Sequence, residues 1–232
     1  MQSLPAGYKA IVLGATGAIG GAFVKALTDT PECDSVIGLS RHGEPPLDIT
    51  NEESVADHAQ ALKPLAPFHL IVDATGALHM DGVGPEKRID DIQAERLMRA
   101  FMVNAIGPAL VMKHFTPLLP MHSRCVFAKL SARVGSISDN RKGGWYGYRA
   151  SKAALNMLMR TAAIEVARKR PEALMVALQP GTVRSNLTKP FVAGDDAADP
   201  DTAVAMLLRA IDGLTASREA LFIDYNGETV PW

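Results

Sequence analysis

What this sequence lacks narrows its role. Its two cysteines, Cys33 and Cys125, lie far apart and match no metal-ligand or redox spacing. They are expected as free thiols of a reducing, cytoplasmic compartment. Six histidines are scattered singly, with no HExxH pair, so no metal site is expected. Neither sign of charge is in excess: 24 Lys and Arg stand against 25 Asp and Glu, a formal net charge of −1. That balance lacks the basic footprint of a nucleic-acid or membrane-surface binder. No apolar run has the length of a membrane span. The longest uncharged N-terminal stretch, Ala10 to Val24, is interrupted by Gly14, Gly17, Gly20 and Gly21. Repeats, low-complexity tracts and linkers are also missing, and 232 residues fit one domain spanning 1–232.

What is present is a 47% apolar chain, enough for a large core, in which short β-type runs alternate with helical patterns. Strands are expected at Lys9–Leu13, Ser35–Ser40, Phe68–Ala74, Cys125–Leu130, Leu174–Gln179 and Leu221–Asp224, with a very short one at Pro46-Leu47-Asp48. Helices are expected after Gly17, where Ile19, Phe23 and Leu27 share a face, and at Asn51–Leu62, ended by Pro64. Others are expected across most of Ile89–Leu119, at Trp145–Lys169 and at Asp201–Asp212. Such alternation predicts an α/β fold, a doubly wound parallel sheet of about seven strands with helices on both faces. The segment Thr188–Pro200, with Pro190, Gly194, Asp195, Asp196 and Asp199, has the composition of a mobile cover over a site or of an ordinary surface loop.

Gly14-Ala15-Thr16-Gly17-Ala18-Ile19-Gly20 follows the first strand and opens the first helix. Glycine permits a tight turn and close approach to a phosphate, and the helix N-terminus supplies free N–H groups and partial positive charge. Ala18 stands where one common form of this turn has glycine, which is acceptable if its φ is negative. The second strand ends Leu39-Ser40-Arg41. An acid there would bond ribose hydroxyls, whereas an arginine without a carboxylate suits a 2′-phosphate. NADP(H) is therefore favoured over NAD(H).

Tyr148 and Lys152 stand four apart at the start of the long helix, on one face. An ammonium close to a phenol favours phenolate and tunes it toward acid–base work. Ser131 lies at the carboxyl end of the Cys125 strand, where ligands bind in doubly wound sheets. Ser136, five residues on, is the other candidate hydroxyl.

Taken together, the glycine turn, Asn104, the serine after a strand, and Tyr148-xxx-Lys152 followed by Ala153-Ala154-Leu155 resemble the short-chain dehydrogenase/reductase family over nearly the whole chain. The stretches Ser131–Ile137 and Gly143–Lys152 resemble its C-factor-like branch, near the sniffer-type carbonyl reductases. The resemblance implies a Rossmann-like fold and a carbonyl or alcohol substrate. It implies that Tyr148 donates a proton to the substrate oxygen, Lys152 binds the nicotinamide ribose and lowers the Tyr148 pKa, and a serine steadies the carbonyl; Ser131 is preferred for its place at the strand's carboxyl end, although Ser136, 12 residues before Tyr148, stands closer to the family's usual spacing. It implies that Asn104 holds a relay water. Asp48 and Ile49 match the adenine pocket, and Pro180-Gly181-Thr182-Val183 the nicotinamide-end loop. Ala74, Thr75 and Gly76 complete the expected cofactor contacts. The family's usual Asn-Asn-Ala-Gly reads Asp73-Ala74-Thr75-Gly76 here. Pro108, four residues after Asn104, has no N–H, so a kink is expected there.

These readings converge on an NADP(H)-dependent oxidoreductase. The alternative is a dinucleotide-binding signalling protein of the C-factor type with little turnover. A Rossmann-type methyltransferase has no use for the tyrosine–lysine pair. The apolar breadth of the long helix, through Leu155, Met157, Leu158, Ala162, Ile164 and Val166, suggests a homodimer or homotetramer. Met80, Trp145 and Phe191 hint at an apolar substrate pocket.

Overall fold

The computed structural model of the chain describes residues 1–79, 82–191 and 197–232. Its elements run β1 (Tyr8–Leu13), α1 (Ala18–Thr28), β2 (Cys33–Leu39), α2 (Glu52–Leu62), β3 (Leu70–Asp73), α3 (Ala94–Phe101), α4 (Gly107–Phe115), β4 (Cys125–Leu130), α5 (Tyr146–Lys169), β5 (Ala173–Gln179), α6 (Pro200–Asp212) and β6 (Leu221–Asp224). The strands form one parallel sheet in the order β2-β1-β3-β4-β5-β6. β3, β4 and nearly all of β5 are buried. This explains their near-continuous apolar runs, since a parallel sheet is covered on both faces.

Two apolar layers cover those faces. On one, Phe23 and Leu27 of α1 meet Val204, Leu207 and Ile211 of α6 against Ala10, Val12 and Val72. On the other, Val55 of α2, Val111 and Phe115 of α4, and Leu155 and Met159 of α5 pack on Ile11, Ile71 and Phe127. Fully burying such side chains stabilises by about 1.5–3 kcal/mol each. Polar caps set helix starts: Asn51 accepts Glu53 N and Ser54 N for α2, and Asp199 accepts Asp201 N for α6.

The described residues form six strands, not seven. Pro46-Leu47-Asp48 is irregular. Pro45 and Pro46 bring no N–H to a ladder. Leu47 still donates its N–H to Ser40 O at 2.9 Å and buries its side chain beside Ile49. The kink expected at Pro108 is a π-helical turn, Met102–Ile106, in which Gly107 N reaches back to Met102 O.

The strand order reverses around β1, whose neighbours are β2 and β3. The turns after β1 and β3 therefore diverge, and the crevice between them is where such a sheet takes its ligand.

Candidate active site

The crevice is built first from backbone. Gly14 has φ +81°, a conformation open to glycine, and its N–H donates to Leu39 O. Gly17 N returns to Gly14 O at 2.9 Å, and Gly17 enters α1 with no side chain capping it. A Cβ on Gly20 would stand 2.1 Å from Gly14 O, so helix and turn touch through bare backbone. Ala18 is the first residue of α1 and has no positive φ, so a methyl group is accommodated. The first-turn N–H groups of α1 lack intrahelical acceptors and lie at the cleft wall.

Two clefts open here, of about 830 Å³ and 700 Å³. Thr16, Gly17, Arg41, Ala74, Thr75 and Gly76 border both, so they are halves of one groove. Ala18, Ile19, Gly20, Ser131, Tyr148, Lys152, Pro180, Gly181 and Val183 line the larger half. Gly14, Ser40, Asp48 and Ile49 line the other. Ser40 Oγ accepts His42 N at 3.2 Å, and Asp48 Oδ1 accepts Thr50 N at 2.9 Å. Thr182 is exposed outside both halves, while Asn104 borders a small cavity beneath Tyr148.

The start of α5 is held from outside the helix. Trp145, at its N-cap, has φ +54°, strained for a bulky residue, and follows Gly143 and Gly144, both at φ +64°. Glu86 secures the junction: its carbonyl accepts Trp145 N at 2.5 Å, and its buried carboxylate accepts Gly147 N at 3.0 Å. Arg149 Nε donates to Gly144 O at 2.9 Å. One turn in, Lys152 Nζ lies 5.7 Å from the centroid of the Tyr148 ring and donates to Leu130 O at 3.1 Å.

The electrostatics differ from the expectation that Lys152 lowers the Tyr148 pKa. Burial of the phenol pushes Tyr148 up to about 12. Burial likewise pushes Lys152 down to about 7, helped by the Lys129 ammonium and opposed by Asp73. Spacing placed the pair correctly, but desolvation penalises both charged forms, so Lys152 has already lost its proton by the pH at which the phenol ionises and offers it no ammonium.

The serines divide. Ser131 lines the cleft and donates its hydroxyl proton to Asn156 Oδ1 at 2.7 Å. Ser136 is buried, accepts Asp139 N and does not border the larger half. The Asn104 side-chain amide is fully engaged: Oδ1 accepts Ala77 N at 2.9 Å, and Nδ2 donates to Ala77 O at 2.9 Å and Ser151 Oγ at 3.3 Å. Ser151 Oγ in turn donates to Tyr148 O.

Thr188 and Lys189, from the segment expected as a cover or a surface loop, line the far wall, together with Gln179 and Arg184, which sequence reasoning passed over. The only sequence signal for those two is that one closes a strand and the other follows it. The segment is clasped at its base, where Arg184 N donates to Ala198 O and Ala198 N to Thr182 O, both at 2.9 Å. Phe191 stands 5.1 Å from Trp145 and stacks on His79 at 5.2 Å, an aromatic wall beside Tyr148. Met80, Gly194, Asp195 and Asp196 lie outside the described residues.

Comparison with known proteins places this groove. The family described as Enoyl-(Acyl carrier protein) reductase matches residues 29–223. C-signal of Myxococcus xanthus is 37% identical over 146 residues, 62% of this chain and 83% of that protein. The 1-hydroxy-2-glutathionyl-2-methyl-3-butene dehydrogenase of a Rhodococcus species is 31% identical over 194 residues, 82% of this chain and 80% of its own. A structure described as a short-chain dehydrogenase/reductase from Burkholderia multivorans with bound NADP superposes with a TM-score of 0.83. It is 25% identical and covers 97% of this chain and 99% of that one. NADPH-bound carbonyl reductase from chicken fatty liver shares the fold, with a TM-score of 0.83 at 23% identity over 99% and 100% of the two chains. With a glycine turn, a tyrosine and a lysine gathered at the strand ends, the chain belongs to the short-chain dehydrogenase/reductase family of oxidoreductases.

Proposed function

We propose that this single-domain protein is an NADP(H)-dependent reductase that interconverts a carbonyl compound and a secondary alcohol. The observation that carries the reading is the pairing of Tyr148 with Lys152 at one end of a groove whose other end is an uncapped helix N-terminus. A dinucleotide fits these residues. The free N–H groups of α1 suit a pyrophosphate, and the bare contact between Gly20 and Gly14 lets it approach. Arg41 borders both halves of the groove and suits a 2′-phosphate.

When bound, the nicotinamide supplies a hydride to the carbonyl carbon. Tyr148 keeps its proton to about pH 12, so it is poised to donate to the carbonyl oxygen, the direction of reduction. Lys152 holds the ribose hydroxyls. Ser131 turns its hydroxyl from Asn156 to the carbonyl. The main-chain carbonyl of Asn104, which Pro108 cannot bond, holds the relay water. The aromatic wall of Trp145, Phe191 and His79 favours a substrate with an apolar face. Exposed apolar side chains on α5 (Met157, Ile164) and α3 (Met98) supply the pairing face of a cytoplasmic homodimer or homotetramer.

The test is NADPH oxidation over a panel of aldehydes and ketones. Tyr148→Phe should lower kcat by about 10²–10⁴-fold while leaving the Kd for NADPH nearly unchanged. Retained turnover removes the assigned role. Ser131→Ala should lower kcat and Ser136→Ala should not; the reverse transfers the role to Ser136. The likeness to C-signal sustains a second reading, a dinucleotide-binding signalling protein with little turnover. Tight NADPH binding without oxidation across the panel would favour it.

A further inference from the structure

Beneath the groove the sheet hides a second lysine. Asp73 at the end of β3 is in register with Lys129 of β4, and both side chains are buried. Lys129 Nζ lies 2.9 Å from Asp73 Oδ1 and donates to Thr75 O at 2.7 Å and to Thr75 Oγ1 at 3.0 Å. Those contacts use all three ammonium donors. Asp73 Oδ1 also accepts Thr75 N at 2.9 Å and the Thr75 hydroxyl at 2.5 Å. Asp73 Oδ2 has no hydrogen-bond partner among the described residues.

Such a pair is not there for stability alone, because well-packed apolar residues often serve a core as well or better. The rest of β4 is apolar. What the pair grips is the Thr75–Gly76 turn, which borders both halves of the groove. Gly76 is wedged against the catalytic end: a Cβ on it would come 3.4 Å from Lys152 Nζ and 3.3 Å from Asn104 Oδ1. Lys152 donates to the carbonyl of Leu130, the residue after Lys129. The two ammonium groups therefore approach one turn from two elements. The ionisable groups facing Lys152 are Tyr148 from its own helix, Lys129 from β4 and Asp73 from β3. Leu130 O, Gly76 and Asn104 also lie about it and are neutral.

Building on the proposed function, we infer that Lys129, paired with Asp73, is a positioning residue that holds the Thr75–Gly76 turn against Lys152 and stands behind that turn as a second buried cation. One carboxylate, with one oxygen free of hydrogen bonds among the described residues, serves two buried lysines. Burial pushes both down and Asp73 opposes it at both; at Lys152 the neighbouring Lys129 adds to the push. Near neutrality Lys152 divides between ammonium and amine, so a change at Lys129 moves that division.

The experiment titrates Lys152 in the cofactor-free protein by NMR of carbon-labelled lysine, with Lys152→Met assigning the resonance. In the parent the midpoint is expected near neutrality; a midpoint at the ordinary lysine value of about 10.4 overturns the inference. In Lys129→Met the midpoint should rise by about one pH unit or more, a facing like charge having gone. The pH dependence of kcat for NADPH-driven carbonyl reduction should move with it, while KM for the carbonyl compound stays. Where Lys129→Met does not fold, Lys129→Met with Asp73→Asn leaves no lone buried charge. Its midpoint should still rise, since Lys129 outweighs Asp73 at Lys152. A midpoint unmoved in whichever variant folds overturns the inference, even if NADPH affinity falls, because a purely structural grip would weaken binding without shifting Lys152. Failure of the proposed reaction reads differently: turnover retained in Tyr148→Phe removes the reaction and leaves the titration as it stands.

Discussion

At the Gly14–Gly20 end the groove wall is main chain, shaped by one strand, one turn and one helix adjacent in sequence. At the Tyr148–Lys152 end it is side chains, held by Glu86 ahead of α3, by Asp73 and Lys129 in the sheet, and by Asn104 in a π turn. Under the proposed function the first end works through fixed N–H groups that need no titration. The second then works through protons, and its behaviour depends on how much water each group has lost. A backbone site should fail by collision, and a side-chain site by a change of charge.

The largest effect should come from breaking the backbone end. Gly20→Val sets a branched side chain against Gly14 O, which cannot retreat without moving the turn. It should cost at least ~3 kcal/mol of stability and abolish NADPH binding, read by denaturant unfolding and by quenching of tryptophan fluorescence. Parent-like binding would show that this end tolerates what its geometry forbids.

The charged end should respond to pH instead. Lys152 titrates at about 7 in the folded protein against 10.5 in the open chain. Between those values the unfolded chain holds more protons, so this group's contribution to stability rises with pH. Urea unfolding at about pH 7 and about pH 9 should show that rise, flattened in Lys152→Met. An identical slope in both proteins would mean that Lys152 is not the group responsible.

Arg41 sharpens the contrast within the first end, being, among the described residues, the one charged side chain at both halves of the groove. Arg41→Ala should weaken NADPH by roughly 10–100-fold and NADH by less than about 3-fold. Equal losses in the two Kd values would remove the 2′-phosphate assignment. The smallest effect belongs to Glu86, which fastens the second end without entering it. Glu86→Gln keeps the shape and removes the charge at the N-terminus of α5, and should cost about 1 kcal/mol in thermal unfolding.

The same contrast governs how far the sequence could be read. Gly14, Gly17 and Gly20 were legible because strand, turn and helix are consecutive, and Tyr148 and Lys152 because four residues make one turn. The seventh strand failed at Pro45-Pro46, whose missing N–H groups were visible in the sequence but outweighed by Leu47. The partnership of Asp73 with Lys129 was not legible, since it depends on the register between two strands separated by two helices. A lone lysine within Cys125–Leu130, and Asp73 where the family has asparagine, were its traces. The direction of the Tyr148 shift was missed for a related reason: spacing reports nearness to Lys152 and says nothing of lost water. Asn104 was found, yet the embrace of its amide by Ala77 needed coordinates.

The clasp between Thr182, Arg184 and Ala198 closes a detour in the chain with two main-chain hydrogen bonds. Since the knot is tied by backbone, the side chains beyond it are free to vary while β5 and α6 stay where they are. On the proposed function, selection can therefore rewrite what is accepted by exchanging one stretch of chain like a bit in a drill, and leave Tyr148 and Lys152 in place.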